Sequence, residues 1–272
     1  MIDLAGRSVL MSGGSRGIGL AIALRLAREG ANVTILAKTA SPHPRLEGTV
    51  HSAVEAIREA GGGALGIVGD VRDDDDVARA VEGAVGEFGG IDVVVNNASV
   101  IDLAPSESLP AKRYDLMQDV NVRGTFMLTR AAVPHLRRSG HAHVLSLSPP
   151  LNLEPRWLGA FPGYMLAKYG MTLATLGFAH ELADDGVAAN TLWPRTTIKT
   201  AAVANVLGGE EMMRRSRTPE IYADAALEVL RRTDVSGQTL LVEDVLAEAG
   251  VTDLSGYSPG VPQGELFPDI FV

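Results

Sequence analysis

Short runs of apolar and β-branched residues recur along the first two thirds of the chain, separated by longer stretches with helical periodicity. Apolar strands that alternate with amphipathic helices predict a parallel sheet covered by helices on both sides. Right-handed crossovers would make this sheet doubly wound, in three layers. The predicted strands are 8–11, 32–36, 65–68, 91–95, 143–147, 188–192 and 238–242. The predicted helices include 19–29, 50–60, 74–88, 116–136 and 223–231.

Three segments depart from this alternation. Two prolines exclude helix or central strand from residues 41–45, so we expect a loop after the second strand. Residues 196–219 follow the sixth strand, where an open α/β sheet covers its ligand, and predict a short, mobile helical lid. Residues 250–272 are rich in Gly and Pro and predict an irregular tail packed on the body. No linker or repeat interrupts the chain, so residues 1–272 are expected to form a single domain.

Composition narrows the class of partner. The formal charge of −9 argues against nucleic acid and anionic membranes. Cysteine is absent, which excludes disulfides and thiolate chemistry and fits a reducing cytoplasm. No apolar run approaches the roughly 20 residues that membrane insertion needs, and the start of the chain does not read as a signal peptide. The six histidines show no metal-ligand spacing, so we expect no metal. A cytoplasmic protein that acts on a small molecule is the expectation.

A glycine-rich turn lies between the first predicted strand and the first helix, at residues 12–19 with the sequence SGGSRGIG. Gly13 and Gly17 permit backbone angles and a close approach that a Cβ would forbid, and Gly19 lets the helix pack closely. The free N–H groups of a helix start suit a pyrophosphate. A glycine cluster alone is as readily an ordinary tight turn, but its position here favours a dinucleotide site.

Tyr164 and Lys168 lie four residues apart in a helical run after the fifth strand, so their side chains share one helix face. A phenol has an ordinary pKa near 10 and needs a neighbouring cation to exchange a proton near neutral pH. Lys168 supplies that cation. Taken alone, this spacing is more often structural than catalytic.

The order of the motifs resembles the short-chain dehydrogenase/reductase family over essentially the whole chain. After the glycine turn come Asp70–Val71, then Asn96–Asn97–Ala98–Ser99 with Ser99 where the family has Gly, then the Tyr164 and Lys168 pair. An ordinary polar turn is the alternative for Asn96–Asn97. The resemblance implies a Rossmann fold, an oxidoreductase that interconverts a carbonyl and an alcohol, and a homodimer or homotetramer.

The resemblance also implies roles for individual residues. Tyr164, Lys168 and Asn121 would be catalytic, with Asn121 kinking a helix and holding a water of the proton relay. The implied cofactor contacts are Ser12, Gly13, Ser15, Arg16, Gly17, Ile18, Gly19, Lys38, Asp70, Val71, Asn97, Ala98, Tyr164 and Lys168.

Three strings narrow the resemblance to the hydroxysteroid dehydrogenase-like branch, whose fuller members carry a sterol-carrier domain after the reductase. They are residues 37–44 (AKTASPHP), 148–153 (SPPLNL) and 192–196 (LWPRT). We expect the reductase domain alone here, acting on a hydrophobic or lipid-like substrate. The wall of the substrate-binding site would include Trp157, Phe161 and Met165, with Met212 and Met213 on the lid. The alternative is that these side chains only pack in the hydrophobic core.

The second strand ends in Ala37, Lys38 and Thr39, with no carboxylate to bind the ribose hydroxyls of NAD. Lys38 would attract the 2′-phosphate of NADP(H), and Arg16 in the glycine turn would add a second cation, with His43 and Arg45 as lesser contributors. Solvated surface charges are the alternative. The sequence therefore predicts NADP(H).

One departure from the family pattern concerns the fifth strand, where Pro149 stands in place of a hydroxyl that positions the substrate oxygen. Three explanations stay open: the prolines re-aim Ser148 so that its hydroxyl takes this catalytic role, Asn152 or a water replaces the donor, or catalysis is feeble. Ser148 is included among the candidate catalytic residues on the first of these. The last would make the protein a dinucleotide-binding sensor or scaffold with weak or no turnover. An NAD-linked alcohol oxidase is a further alternative, which cofactor preference would distinguish.

Overall fold

The structure, a computed structural model, describes residues 2–42 and 47–272. The described residues form one parallel sheet of seven strands in the order β3-β2-β1-β4-β5-β6-β7. The strands are β1 (Ser8–Ser12), β2 (Asn32–Ala37), β3 (Ala64–Val68), β4 (Val93–Asn96), β5 (Ala142–Ser146), β6 (Val187–Trp193) and β7 (Thr239–Leu241). The order reverses direction between β1 and β4, so the carboxyl ends there open a crevice between diverging connections. The predicted doubly wound sheet is confirmed.

Helices cover both faces of the sheet. In chain order they are α1 (Gly17–Arg28), α2 (Val50–Glu59), α3 (Asp74–Phe88), α4 (Ala111–Met117), α5 (Gly124–Leu136), α6 (Pro155–Ala160), α7 (Pro162–Glu181), α8 (Gly209–Arg214), α9 (Glu220–Leu230) and α10 (Val242–Glu248). One apolar cluster joins α1, α2, α9 and α10 to one face of the sheet. A second joins α3, α5 and α7 to the other face, which completes the three layers. No helix within the described ranges is long and apolar enough to cross a bilayer.

Local sequence sets the helix ends. Thr49 and Ser52 form a reciprocal capping box at the start of α2. The Asp73 carboxylate accepts from the backbone N–H groups of Asp75 and Asp76 and so caps α3. Gly89 ends α3 with a φ of 82°, in the left-handed region that glycine tolerates best.

The predicted helix at 116–136 is interrupted. Residues Gln118–Arg123 form a π-helical turn between α4 and α5. Asn121 is fully buried in this turn, where its Oδ1 accepts from the Val100 backbone N–H at 2.8 Å and its Nδ2 donates to the Val100 carbonyl at 3.1 Å. A widened turn of this kind marks a place where a side-chain interaction replaces regular helical pairing. The structure thus has a π-helical turn at Asn121, where the resemblance implied a kink.

The two segments after β6 were predicted to be a helical lid and an irregular tail. Residues 196–219 contain the π-helical turn Val203–Leu207 and α8, which makes this segment helical as predicted. The tail after α10 contains only short 3₁₀ turns among its described residues, but it buries Leu254, Leu266 and Phe271. Its last residues pack beside the carboxyl end of β6.

Candidate active site

A cavity of about 920 Å³ opens along the carboxyl ends of β2, β1, β4, β5 and β6. It extends from the end of β2, where Lys38 lies, past the glycine turn to Tyr164 and Lys168 on α7. Such a volume accommodates a large organic ligand. The predicted cofactor residues that line it are Gly13, Ser15, Arg16, Gly17, Ile18, Lys38, Asp70, Val71, Asn97, Ala98, Tyr164 and Lys168.

The other two predicted contacts, Ser12 and Gly19, support the glycine turn from behind. The Ser12 hydroxyl accepts from the backbone N–H groups of Asn97 and Ala98, at 3.2 and 3.1 Å. The Asn97 side-chain amide donates to the Gly13 carbonyl at 2.8 Å. A Cβ on Gly19 would lie 2.5 Å from that same amide nitrogen, so only glycine fits. The turns after β1 and β4 thus hold each other in place.

The residues of the glycine turn fit a diphosphate. Gly13 and Gly17 have φ values of 75° and 55°, which keeps the backbone close to the cavity with no side chain in between. The α1 N-terminus, which begins at Gly17, carries no side-chain cap and no acidic residue in its first turn. Its unpaired N–H groups and positive helix dipole therefore remain available to an anion.

Two cations lie at the β2 end of the cavity, each with a partner. The Lys38 ammonium is 2.9 Å from the Asp70 carboxylate. Burial acts to raise the pKa of Asp70, but hydrogen bonds from Arg72 and Lys38 outweigh it and lower the pKa well below its usual range. The Arg16 guanidinium donates to the backbone carbonyls of Glu47 and Gly48, at 2.9 and 2.8 Å. A 2′-phosphate would have to share or replace these partners.

The lesser contributors named from the sequence, His43 and Arg45, lie outside the described residues.

At the other end of the cavity, Tyr164 and Lys168 lie one turn apart on α7 and are 4% and 3% exposed. The Lys168 ammonium donates to the Leu147 carbonyl at 2.7 Å and lies 5.1 Å from the centre of the Trp193 ring. Burial lowers the pKa of Lys168 to about 7, although the nearby Asp269 charge acts to raise it. Burial and Asp269 raise the pKa of Tyr164, whereas a hydrogen bond from Ser99 acts to lower it.

Ser148 is not brought into the cavity with Tyr164. Its side chain is fully buried and its hydroxyl accepts from Thr172 at 3.0 Å. Thr172 also donates to the Pro149 carbonyl, which fixes the turn after β5 against α7. Asn152 likewise lies outside the cavity lining, and its amide donates to the Phe271 carbonyl at 3.3 Å. Neither side chain is therefore directed at a bound substrate in this conformation.

Two residues near Tyr164 and Lys168 were not predicted from the sequence. Ser99 was seen only as a departure from Gly, but it lines the cavity and acts to lower the pKa of Tyr164. Asp269, from the irregular tail, lines the cavity beside Lys168 and Trp193. The sequence does mark Asp269, because it is a lone acid between the apolar residues 266–267 and 270–272. Burying a charge is costly, so a charged residue in an apolar segment indicates a specific role.

The rest of the cavity is mostly apolar. The lining includes Val100, Ile101 and Leu116 on one side, and Val203 and Met213 from the segment after β6 on the other. Of the side chains suggested for the substrate wall, Trp157, Phe161 and Met165 are not among the lining residues and pack instead in the apolar cluster around Tyr164 and Phe271.

The chain is similar to known proteins of one family. The family model described as short chain dehydrogenase matches residues 7–210. Hydroxysteroid dehydrogenase-like protein 2 of Danio rerio is 47% identical over 272 residues, which cover 99% of this chain and 64% of the relative. The chain therefore spans somewhat less than two thirds of the length of that relative.

Two solved structures are similar along nearly the whole chain. A putative dehydrogenase from Xanthomonas campestris is 50% identical with a TM-score of 0.95, and the match covers 100% of this chain and 99% of that one. A short chain dehydrogenase from Mycobacterium thermoresistibile is 57% identical with a TM-score of 0.92, covering 99% and 96%.

Proposed function

The chain belongs to the short-chain dehydrogenase family, and from this premise we propose an NADP(H)-dependent oxidoreductase that interconverts a carbonyl and an alcohol on a hydrophobic or lipid-like substrate. One observation carries the proposal: a phenol and an ammonium, one helical turn apart, share a cavity with a glycine turn that suits a diphosphate. Membership of this family supports the binding of a nicotinamide dinucleotide. The preference for NADP(H) and the substrate class are our inferences.

The preference for NADP(H) rests on charge. Lys38 and Arg16 are the cations that line the cavity near the end of β2, and their charge suits a phosphate dianion. Asp70 lies in the same region but already binds Lys38 and Arg72, so its carboxylate is not free for ribose hydroxyls. An NAD-specific site would instead present a free acid there.

The proton-transfer step uses this chain's own residues. A nicotinamide held in this cavity would supply or accept the hydride. Tyr164 would give its proton to the carbonyl oxygen in reduction and take it back in oxidation. Lys168 would stabilise the phenolate left behind, because an ammonium one turn away favours the charged form of the phenol. Asn121 acts from behind by fixing the Val100 backbone at the cavity wall.

We assign the task of the missing hydroxyl at Pro149 to Ser99. Ser99 lines the cavity with Tyr164 and acts to lower the pKa of the phenol, so we infer that its hydroxyl can donate to the substrate oxygen that the phenol protonates. Ser148, bound to Thr172 in the core, would serve stability instead.

Steady-state loss of NADPH absorbance with a panel of ketones and aldehydes tests the proposal. Tyr164→Phe should lower the rate by about 10²- to 10⁴-fold and leave NADPH affinity unchanged, because only the proton donor is lost. Tyr169→Phe is the matched control, since its hydroxyl donates to the Asn152 carbonyl away from the cavity. Cofactor binding with no turnover on any compound would favour the sensor or scaffold instead.

A homodimer or homotetramer and a cytoplasmic location complete the proposal. Phe126 on α5 and Leu166 and Leu173 on α7 are 44%, 50% and 57% exposed, and burying such a group is a common reason for assembly. Light scattering during size exclusion would measure the assembly.

A further inference from the structure

Trp193, the last residue of β6, contacts both Lys168 and the C-terminal tail. It lines the cavity and is 8% exposed. The Lys168 ammonium lies over its ring, 5.1 Å from the ring centre. A cation over the face of an indole is attracted by the electrons of the ring, most strongly where water is excluded. The Trp193 ring therefore offers the buried Lys168 charge a favourable contact.

The Lys168 side chain has few other partners. The residue is 3% exposed, and its ammonium donates to the Leu147 carbonyl at 2.7 Å and more weakly to the Met171 sulfur at 3.7 Å. The ion pairs among the described residues engage Lys38 but not Lys168. Because a buried charge without an ion-pair partner is costly, each remaining contact of this ammonium matters.

The titratable and charged side chains of this region come from three helices and the tail: Tyr164, Tyr222, Glu243 and Asp269. Burial lowers the pKa of Lys168 to about 7, and the Asp269 charge opposes this. No hydrogen bond among the described contacts joins Asp269 to Lys168; its Oδ1 accepts from the Ile270 backbone N–H instead. Trp193 is thus the side chain whose direct contact favours the ammonium.

The indole of Trp193 is held from its other side by the last seven residues, 266–272, which we call the C-terminal strap. The indole N–H donates to the Ile270 carbonyl at 3.0 Å. The strap itself is paired to the segment after β6, where the Thr197 backbone N–H donates to the Phe267 carbonyl at 3.0 Å. The orientation of the indole therefore depends on the strap.

Phe271 anchors the strap against the proton-transfer helix. Its side chain is fully buried, and its ring lies 6.2 Å from that of Tyr164 and 5.2 Å from that of Tyr169. Its φ of 72° is in the left-handed region that a bulky residue rarely adopts. Such a conformation persists only where the surroundings hold it, as the aromatic contacts do here. The neighbouring Ile270 carbonyl, which holds the indole, is therefore fixed in place.

We propose that Trp193 is a positioning residue whose indole face holds the Lys168 ammonium one helical turn from Tyr164. The proposal rests on the proposed function, because it gives Trp193 a role within the same proton-transfer site. An aliphatic side chain at this position would bury Lys168 without offering a polarised face to its charge. The neutral amine would then be favoured, and a neutral amine could not stabilise a phenolate at Tyr164.

Nuclear magnetic resonance of the unsubstituted full chain tests the contact without any turnover. Labels of ¹⁵N-indole and ¹³Cε-lysine give few signals, because the chain has only Trp157, Trp193, Lys38, Lys112, Lys168 and Lys199. The Lys168 signal should titrate with a midpoint of about 7, and the Trp193 indole signal should shift with the same midpoint. Lys168→Gln should abolish that step. A Trp193 signal that stays constant through the Lys168 midpoint, or that titrates unchanged in Lys168→Gln, would overturn the proposal.

Substitution of the ring gives the size of the effect. Trp193→Leu should lower the titration midpoint of Lys168 by about 1, as expected for a cation over an indole away from water. Trp193→Phe keeps an aromatic face and should give a smaller shift. If Trp193→Leu does not fold, Trp193→Phe and the titration of the unsubstituted chain still decide the matter.

Trp157→Leu is the matched control. The Trp157 ring also contacts that of Phe271, at 5.8 Å, but the cation over its face is Arg156, at 4.9 Å. Its loss should leave the Lys168 midpoint unchanged. An unchanged midpoint in folded Trp193→Leu, or an equal shift in Trp157→Leu, would contradict the role of Trp193.

Turnover provides a second readout where it exists. If the ammonium is required, the rate falls as pH rises through the pKa of Lys168, so Trp193→Leu should move the alkaline limb of the kcat/KM profile to lower pH. At a pH above both midpoints the rate should fall about tenfold, the factor that a shift of about 1 implies. A purely structural role would lower the rate equally at every pH. If no carbonyl compound is turned over, the proposed function fails, but the NMR titrations still decide the role of Trp193.

Discussion

Replacing Lys38 by aspartate should strongly weaken binding of the phosphorylated cofactor. In the structure the Lys38 ammonium is 62% exposed and bound to Asp70 at 2.9 Å. A 2′-phosphate, with a charge between −1.5 and −2, would compete with that carboxylate for the same cation. Asp70 would keep its bond to Arg72 when Lys38 turns to the phosphate, so the exchange leaves no bare carboxylate.

The magnitude follows from Coulomb's law at a water-like dielectric, because Lys38 is mostly solvated. Two unit charges 4 Å apart interact by about 1 kcal/mol in water, and a dianion doubles this. After the cost of leaving Asp70, we expect Lys38→Gln to weaken NADPH binding about tenfold, equivalent to about 1.4 kcal/mol. Lys38→Asp adds repulsion of similar size and should weaken it about a hundredfold.

Fluorescence titration of NADPH and NADH at fixed ionic strength measures both constants. NADH lacks the 2′-phosphate, so its affinity should change little in either variant. Lys199→Gln is the control, because Lys199 lines the same cavity after β6, several strands from Lys38. The NADPH effect should shrink as salt rises, since exposed charges are screened. Equal losses for NADPH and NADH would refute the assignment of Lys38.

Two further outcomes are expected. Ser99→Ala should lower kcat about 10- to 100-fold, whereas Ser148→Ala should keep activity and cost about 1 kcal/mol of stability through its lost bond to Thr172; similar kcat values in both variants would argue against Ser99. Burial and the neighbouring His141 lower the pKa of His143 to about 3 from 6.5. At a pH between these two pKa values, His143 is protonated in the unfolded chain and neutral in the folded one. The free energy of unfolding should therefore fall by about 2 kcal/mol from pH 7 to pH 5. Urea unfolding should show that His143→Gln abolishes most of this pH-dependent loss of stability, whereas His135→Gln abolishes little of it.

The sheet could be predicted because the strands are short, mostly apolar runs and the helices between them carry apolar stripes. Periodicity therefore indicated both elements and layers. It did not reveal the π-helical turn at 118–123, because that turn depends on Asn121 reaching the Val100 backbone, a contact between distant segments. The helix α10 was missed because the predicted last strand ran through Val242, where the structure begins that helix.

The candidate site divides in the same way. Its glycine turn and its Tyr164 and Lys168 pair are local in sequence, so their spacing, together with their order along the chain, indicated them. Ser99 and Asp269 come close to Tyr164 and Lys168 only in the folded chain, where all four residues line one cavity. Sequence periodicity does not predict such a contact between distant segments. The position of Ser148 also depended on tertiary context, because the hydroxyl partner in the core is Thr172 on α7. Pattern thus identified the elements, and packing decided which side chains met.

The aromatic anchor at Phe271 has a consequence for how the protein matures. Chains emerge from the ribosome amino end first, at about 5–20 residues per second, and segments fold as they appear. The strands and the glycine turn precede Phe271 in the chain and can form before it is made, whereas the wall beside Tyr164 is completed only when Phe271 docks. A nascent chain would therefore form its nucleotide cradle before the wall beside Tyr164.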